Sequence, residues 1–422
     1  MTIQARYDLI IVGAGLAGLF AGALAARRGA RTLVIARGLG GTHIGAGTVD
    51  VWGYKRRQGC STGGPEAGEL VENPEDELTR LEPPHPLALA GASALPEALA
   101  QFQVLCEMGE YPLMGALAHN HILPTALGAL RPTCLAPESF IAGELSRAGE
   151  LTLARWPGFR DFYADLAVAN LQAQGYAARA VTLELPRLPA RRDMFASDIA
   201  RWLDDAHYRA EVAQAWRDKL NGVTRLGLPA CLGLERPTEA HHDLQNKLGV
   251  EIFEIPILPP SVPGMRLFNV LRLAIESAGG RMIIGPGVTG WIEDGQVLGI
   301  IAETAGGARR YAAKNVIVAT GGVRHGGLES PAKGQLREAV FDFPTTAPSK
   351  FFAPLYWDTP PYTRGGVRVN ENMQPLTADG EIIYANVLAI GGLLAGADRV
   401  GEGSREGIDL ATAWQAVNGL SG

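Results

Sequence analysis

The apolar residues of this chain gather in short unbroken runs that close on glycine, the pattern of strands buried on both faces of a parallel sheet. Leu9-Ile10-Ile11-Val12 is the first such run. An alanine-rich helix ending near Gly29 and a second strand, Thr32 to Ala36, follow it. Further on, Val316-Ile317-Val318-Ala319 runs into Thr320-Gly321-Gly322, and Val387-Leu388-Ala389-Ile390 runs into Gly391-Gly392. From about Arg281 to Thr304 the runs are broken by Gly and Asp-Gly, which predicts a β-meander. A last helix is expected to start near Ser404, with the serine as N-cap, and to run through Ile408 to Val417. Between these landmarks, Leu151 to Trp156 and Val181 to Leu185 read as strands, and Phe162 to Gln174 and Met194 to Asp205 as helices. The proline-rich stretch from Glu82 to Pro86 reads as a linker.

The run from Leu9 to Ala26 is about eighteen residues of uncharged, apolar sequence, long enough to raise a membrane span or a signal peptide. Asp8 at its mouth, and Gly13, Gly15, Gly18 and Gly22 within it, fit a strand, a turn and a helix better. Net charge is −6 over 422 residues, with no basic stripe, which excludes a nucleic-acid binder. Cys60, Cys106, Cys134 and Cys231 form no CxxC pair, so no iron–sulfur, zinc or disulfide framework is expected. His241-His242 is the densest histidine cluster, and no metal site is expected from it. A cytoplasmic chain, touching a membrane only through a partner, follows as the expectation.

Glycine makes up 53 of the 422 residues, and its placement carries the chemistry. Gly13-Ala14-Gly15-Leu16-Ala17-Gly18 lies between a strand and a helix, the context in which GxGxxG is specific for a dinucleotide. Gly13 makes the tight turn, Gly15 lets a pyrophosphate approach the backbone, and Gly18 lets helix and strand pack. The helix N-terminus then supplies free N–H groups and a favourable dipole for the anion. One element departs from the pattern: Ala36 stands where an acid usually holds the adenosine ribose, followed by Arg37 and Gly38. FAD and FMN both remain open on these residues.

The ordered set of fingerprint, Ala319-Thr320-Gly321-Gly322 and Ala389-Ile390-Gly391 resembles the two-dinucleotide-binding-fold flavoproteins. That resemblance implies a Rossmann-like FAD/NAD(P)-binding fold with a β-meander, an α/β fold discontinuous in sequence with an inserted α/β cap domain. The expected flavin-binding parts are 1–58, 240–330 and 381–422, with 59–239 and 331–380 as the cap. It also implies that Thr320, Gly321, Gly391, Gly392 and Gly407 lie against the cofactor, with the last helix aimed at the flavin. Leu258-Pro259-Pro260-Ser261-Val262-Pro263-Gly264-Met265-Arg266-Leu267 narrows the resemblance, together with His43 and Gly47-Thr48-Val49-Asp50. With Leu228 to Gly233 and Phe351-Phe352-Ala353-Pro354, the chain looks like the B subunits of anaerobic glycerol-3-phosphate dehydrogenases. That family implies oxidation of glycerol 3-phosphate to dihydroxyacetone phosphate, with FMN as the flavin. It also implies two partners: the catalytic A subunit, plus the iron–sulfur C subunit. Localisation would then be peripheral to the inner face of the cell membrane, through the complex.

For proton transfer the candidates are His43, after the second strand, and His325, after the Thr320-Gly321-Gly322 turn. For a substrate phosphate they are Arg266, Arg324, Arg364 and Arg405. Thr363-Arg364-Gly365-Gly366 also resembles a turn near the flavin in fumarate-reductase-like proteins. Two other readings stand beside the first: a stand-alone oxidoreductase of the fumarate reductase/succinate dehydrogenase type, and a degenerate flavoprotein scaffold.

Overall fold

The computed structural model describes residues 3–55, 69–187, 194–330, 335–354 and 360–420. Cys60 and the expected boundaries after 58 and after 330 fall wholly or partly outside the described residues. The chain divides into two compact units. Unit 1 is Met1–Thr42, Asp50–Leu105 and Phe268–Gly422; unit 2 is His43–Val49 and Cys106–Leu267. The segment 240–267, expected with the nucleotide-binding part, belongs to unit 2. Its helix Pro237–Leu248 and strand Glu251–Ile255 complete that unit's sheet. The segments 69–105 and 335–380, expected in the cap, belong to unit 1.

Unit 1 is built on a seven-stranded sheet. Strand Ile3–Val12 is central, paired in parallel with Thr32–Ala36 on one side and Gly307–Val318 on the other. Ile10 and Ile11 are fully buried, which is why no polar residue interrupts the run. Each such side chain contributes about 1.5–3 kcal/mol by leaving water. Arg281–Ile284 extends the parallel part at the far edge beside Thr32–Ala36. It is therefore no part of the meander, which is Gly287–Glu293, Gln296–Thr304 and Gly307–Val318, joined antiparallel. The long Gly307–Val318 strand leaves its last residues free to pair in parallel with Val387–Ala389.

Helix Leu16–Arg27 is buried all round except at its end, because the C-terminal helix Arg405–Gly419 packs beside it and Phe102 meets Phe20 edge-on at 5.6 Å. Glu82 to Pro86 is no inter-domain linker. It lies inside unit 1 and leads into helix Pro86–Ala90, whose N-cap is His85: its Nδ1 accepts the Leu87 N–H at 3.2 Å.

Unit 2 carries its own open parallel sheet, ordered Ala178–Thr182, Leu151–Arg155, Arg225–Pro229, Glu251–Ile255. Helices Ala164–Ala173 and Ala196–Leu203 agree with the periodicity, whereas the strand expected over 181–185 starts three residues earlier, at Ala178. Trp156, Trp216, Leu153 and Phe253 lie in its core. Two motifs that carried the family resemblance pack on one another here. Gly47, at φ +78, faces Pro263, and the Ser261 hydroxyl donates to the Gly45 carbonyl at 2.5 Å. No helix among the described residues is long and apolar enough to cross a membrane.

Candidate functional site

Three glycine turns meet at one end of the unit 1 sheet. The Ala319 N–H donates to the Val12 carbonyl at 2.8 Å, and the Ile390 N–H to the Val318 carbonyl at 3.0 Å. The Gly13, Thr320-Gly321 and Gly391 turns therefore leave adjacent strand ends together. Packing here requires bare Cα atoms. A Cβ at Gly13 would overlap the Ala319 carbonyl, and one at Gly18 would overlap the Gly13 carbonyl. A Cβ at Gly391 would press on the Ala17 methyl and the Asp409 carboxylate, both 2.8 Å away.

Gly15 is different. It is half-buried in an otherwise buried run, and a Cβ there would meet nothing within 4 Å. Its backbone is ordinary extended chain at the N-cap of Leu16–Arg27, and no side chain caps that helix. Open space over uncapped N–H groups at a helix N-terminus is what an anionic group requires. Beside it, the loop after Ala36 folds back so that Gly40 (φ +74) lies on the Ala14 carbonyl and Gly15 nitrogen. Arg37 and Gly38 stay exposed on that loop.

Three buried side-chain atoms on these segments have no hydrogen-bond partner among the described residues: Thr42 Oγ1, Thr320 Oγ1 and Arg399 Nε. Unpaired polar atoms at Thr42 beyond the Ala36 loop, at the Thr320 turn and at Arg399 against Gly392 fit a cofactor rich in phosphate and hydroxyl groups. Arg399 was not singled out from the sequence. Its guanidinium lies across Gly392, where any side chain would collide with Nη1, and Nη2 donates to Asp409 at 2.7 Å and to the Arg405 carbonyl at 2.8 Å. Burial pushes the Asp409 carboxyl up, against the pull of Arg399, His325 and Arg405.

His325 stands at this rim, with its ring against Gly41 and Gly321. Loss of hydration holds its imidazole below the usual value; Asp409 opposes this, and Arg399, Arg324 and Arg405 add to it. His43, whose pKa burial also lowers, belongs to unit 2, so the two candidate bases are not brought into one unit. Arg324 and Arg405 are exposed. Arg364 pairs with Asp398 and, with Arg368, lines a groove of about 460 Å³ that also includes Pro83, Pro84 and Gly396. None of the groove's lining residues belongs to the fingerprint turn.

Two expectations change. Arg266 is 2% exposed, and its guanidinium is held by Glu254 (2.7 and 3.0 Å) and the Gly233 carbonyl (2.8 Å). Its place is structural: no face is left for a substrate phosphate. Gly407 approaches chain rather than cofactor. Its N–H donates to the Asp50 carbonyl at 3.0 Å, and a Cβ would meet Val51 Cα at 3.0 Å.

Ser404 is the N-cap residue of the last helix, Arg405–Gly419, as expected, but its side chain makes no capping bond; its hydroxyl donates to Glu402 Oε2 at 2.9 Å. Glu402 also meets His85 Nε2 at 3.3 Å. Burial pushes its carboxyl up, but the His85 contact, the Asp398 N–H and the Ser404 hydroxyl together bring it below its ordinary 4.5. A carboxylate whose folded pKa is depressed stabilises the fold above the unfolded value, and that contribution disappears as pH falls through the folded one. Glu402→Gln is therefore expected to flatten the acid side of a melting-temperature profile below about pH 5; an unchanged slope there would remove Glu402 from the account.

The chain matches the family model described as FAD binding domain over residues 8–407. It is a member of that flavoprotein class, with the Rossmann-like FAD-binding fold that the sheet displays. The B subunit of anaerobic glycerol-3-phosphate dehydrogenase from Pectobacterium carotovorum subsp. carotovorum (strain PC1) is 32% identical, over 97% of this chain and 97% of that protein. Its counterpart from Yersinia pestis is 30% identical over 97% and 96%. The chain belongs to the family of B subunits of anaerobic glycerol-3-phosphate dehydrogenase. Among solved structures, 3-ketosteroid Δ1-dehydrogenase from Sterolibacterium denitrificans is similar with a TM-score of 0.43 and 12% identity, over 98% of this chain and 99% of that one.

Proposed function

We propose that this chain is the flavin-carrying B subunit of a quinone-linked glycerol-3-phosphate dehydrogenase. It takes part in oxidising sn-glycerol 3-phosphate to dihydroxyacetone phosphate and passes electrons through its flavin towards an iron–sulfur C subunit. The A subunit is its catalytic partner, and membrane contact comes through the complex. The observation that carries this reading is the open space over the uncapped helix N-terminus at Gly15, in a chain of this family. Bound flavin supplies a two-electron acceptor that can release electrons singly. The protein's own residues bind it and handle protons. The N–H groups from Gly15 into the helix hold the diphosphate, and we assign FAD; FMN by acid release and chromatography would correct that. His325, with its ring at the rim of the glycine turns, is the candidate to accept a proton. Arg364 and Arg368 in the groove are the candidates for an anionic substrate group.

The anaerobic visible spectrum of the flavin-loaded chain tests this. The chain is expected to stay oxidised with glycerol 3-phosphate alone and to bleach when the A subunit is added. Bleaching without a partner would mean a complete substrate site in this chain. No bleaching with both substrate and the A subunit present would sink the relay. The scaffold reading has one observation in its favour, the Arg399 guanidinium lying across Gly392. It requires a chain that cannot be loaded with flavin, so a stoichiometric yellow protein removes it.

A further inference from the structure

A cluster in unit 2, made of none of the candidate residues above, has the composition of a metal site. His119 and His121 flank Asn120 as the chain enters strand His121–Pro124, which pairs antiparallel with Leu130–Thr133. Residues two apart on extended chain project to the same face, which brings the two imidazoles together. Their rings stand edge-on, 5.5 Å apart. Glu144 arrives from the turn after the short helix Glu138–Ile141 and is 6% exposed. The Ile122 N–H donates to both its oxygens, at 3.0 and 3.2 Å, and His121 Nδ1 lies 2.9 Å from Oε2. One ligand atom from each of His119, His121 and Glu144 lies within 4.8 Å of the others.

We propose that His119, His121 and Glu144 form a binding site for a divalent transition-metal ion of the zinc class. An ion about 2.0–2.2 Å from each donor needs them roughly 3–3.5 Å apart. The His121–Glu144 spacing already meets that, and His119, exposed at the surface, closes the rest by a side-chain rotation. Two imidazole nitrogens and one carboxylate oxygen select zinc-like ions over magnesium or calcium, which require oxygen ligands. Glu144 also accepts from the Ser146 N–H at 3.4 Å, so backbone donors hold the carboxylate in place. The other His121 nitrogen, Nε2, is buried and has no hydrogen-bond partner among the described residues, so Glu144 is what orients the ring. Three protein ligands leave a fourth position open to water on the His119 side. The ion would tie the hairpin 121–133 to the turn at 144. From the sequence, His119-x-His121 was the available signal; Glu144, more than twenty residues on, was not.

The test uses the purified full chain, stripped with a chelator and titrated with zinc sulfate by calorimetry and thermal melting. One zinc ion per chain is expected, with a higher melting temperature. His119→Ala removes an exposed ring and should leave the metal-free melting temperature unchanged, while zinc affinity falls at least about tenfold. Cobalt(II) in the wild type should give a visible absorption that His119→Ala lacks. The exposed pair His242–Glu138 (2.9 Å) in the same unit is a competing donor set, so His242→Ala must retain the ion. No uptake by the wild type, uptake untouched by His119→Ala, or uptake lost in His242→Ala would each overturn the proposal.

Discussion

Gly15→Val is expected to give a chain that folds like the wild type and holds no flavin. The backbone at Gly15, φ −78 and ψ −179, is extended chain that valine adopts readily, and its Cβ would meet no atom within 4 Å. Nothing in the folded protein resists the side chain, so the stability of the metal- and cofactor-free chain should stay within about 0.5 kcal/mol of the wild type. What the added side chain fills is the space over the helix N-terminus, where a diphosphate would take its N–H contacts. Flavin per chain, read from the visible spectrum after loading and gel filtration, should fall at least about tenfold. The neighbouring glycines of the same motif predict the opposite phenotype. Gly13→Ala forces a Cβ onto a residue at φ +127 and into the Ala319 carbonyl, and Gly18→Ala drives one into the Gly13 carbonyl. Those variants should fail to fold, whether or not flavin is present. A fully yellow Gly15→Val protein would mean that the fingerprint is not the cradle.

The nucleotide-binding part was legible because its signals are local. Buried parallel strands have no polar positions, so Ile3–Val12, Thr32–Ala36 and Gly307–Val318 announce themselves, and the glycines at their ends mark the turns. What failed was whatever depends on partners distant in sequence. Arg281–Ile284 resembles the meander beside it, yet its short run pairs with Thr32–Ala36, near the other end of the chain. The 240–267 segment follows the same rule, because its strand belongs to the sheet begun at Leu151. Ser404 has the side chain of a helix cap, but the buried Glu402 two residues before it takes the hydroxyl. Nothing in the sequence around Arg399 tells that its guanidinium will cross a glycine turn. For Arg266 a signal did exist. Glu254 sits among the apolar residues Ile252, Phe253 and Ile255 of its strand, and a buried acid demands a cation or donors.

That pair carries the second large effect. Arg266→Met is expected to destabilise unit 2 by about 3–5 kcal/mol, because it strands a carboxylate that is 2% exposed. Methionine restores much of the side-chain volume, so the loss reports the missing charge partner rather than a cavity. Glu254 also accepts from the Ser139 hydroxyl at 2.8 Å and the Leu232 N–H at 2.7 Å, so replacing it by an apolar residue would orphan both. Glu254→Gln removes the charge, keeps an acceptor for the Leu232 N–H, and turns its amide N–H to the Ser139 hydroxyl, which can accept it. The double variant Arg266→Met/Glu254→Gln should therefore recover a large part of the stability that Arg266→Met alone loses. Urea unfolding followed by tryptophan fluorescence reads this directly, since Trp156 and Trp216 lie in the core of the same unit. A substrate-binding arginine predicts the reverse pattern: an unchanged unfolding midpoint, a raised KM in the assembled enzyme, and no rescue by a change at Glu254. The guanidinium, with its two-point contact to a buried carboxylate and a third bond to the Gly233 carbonyl, supports the first pattern.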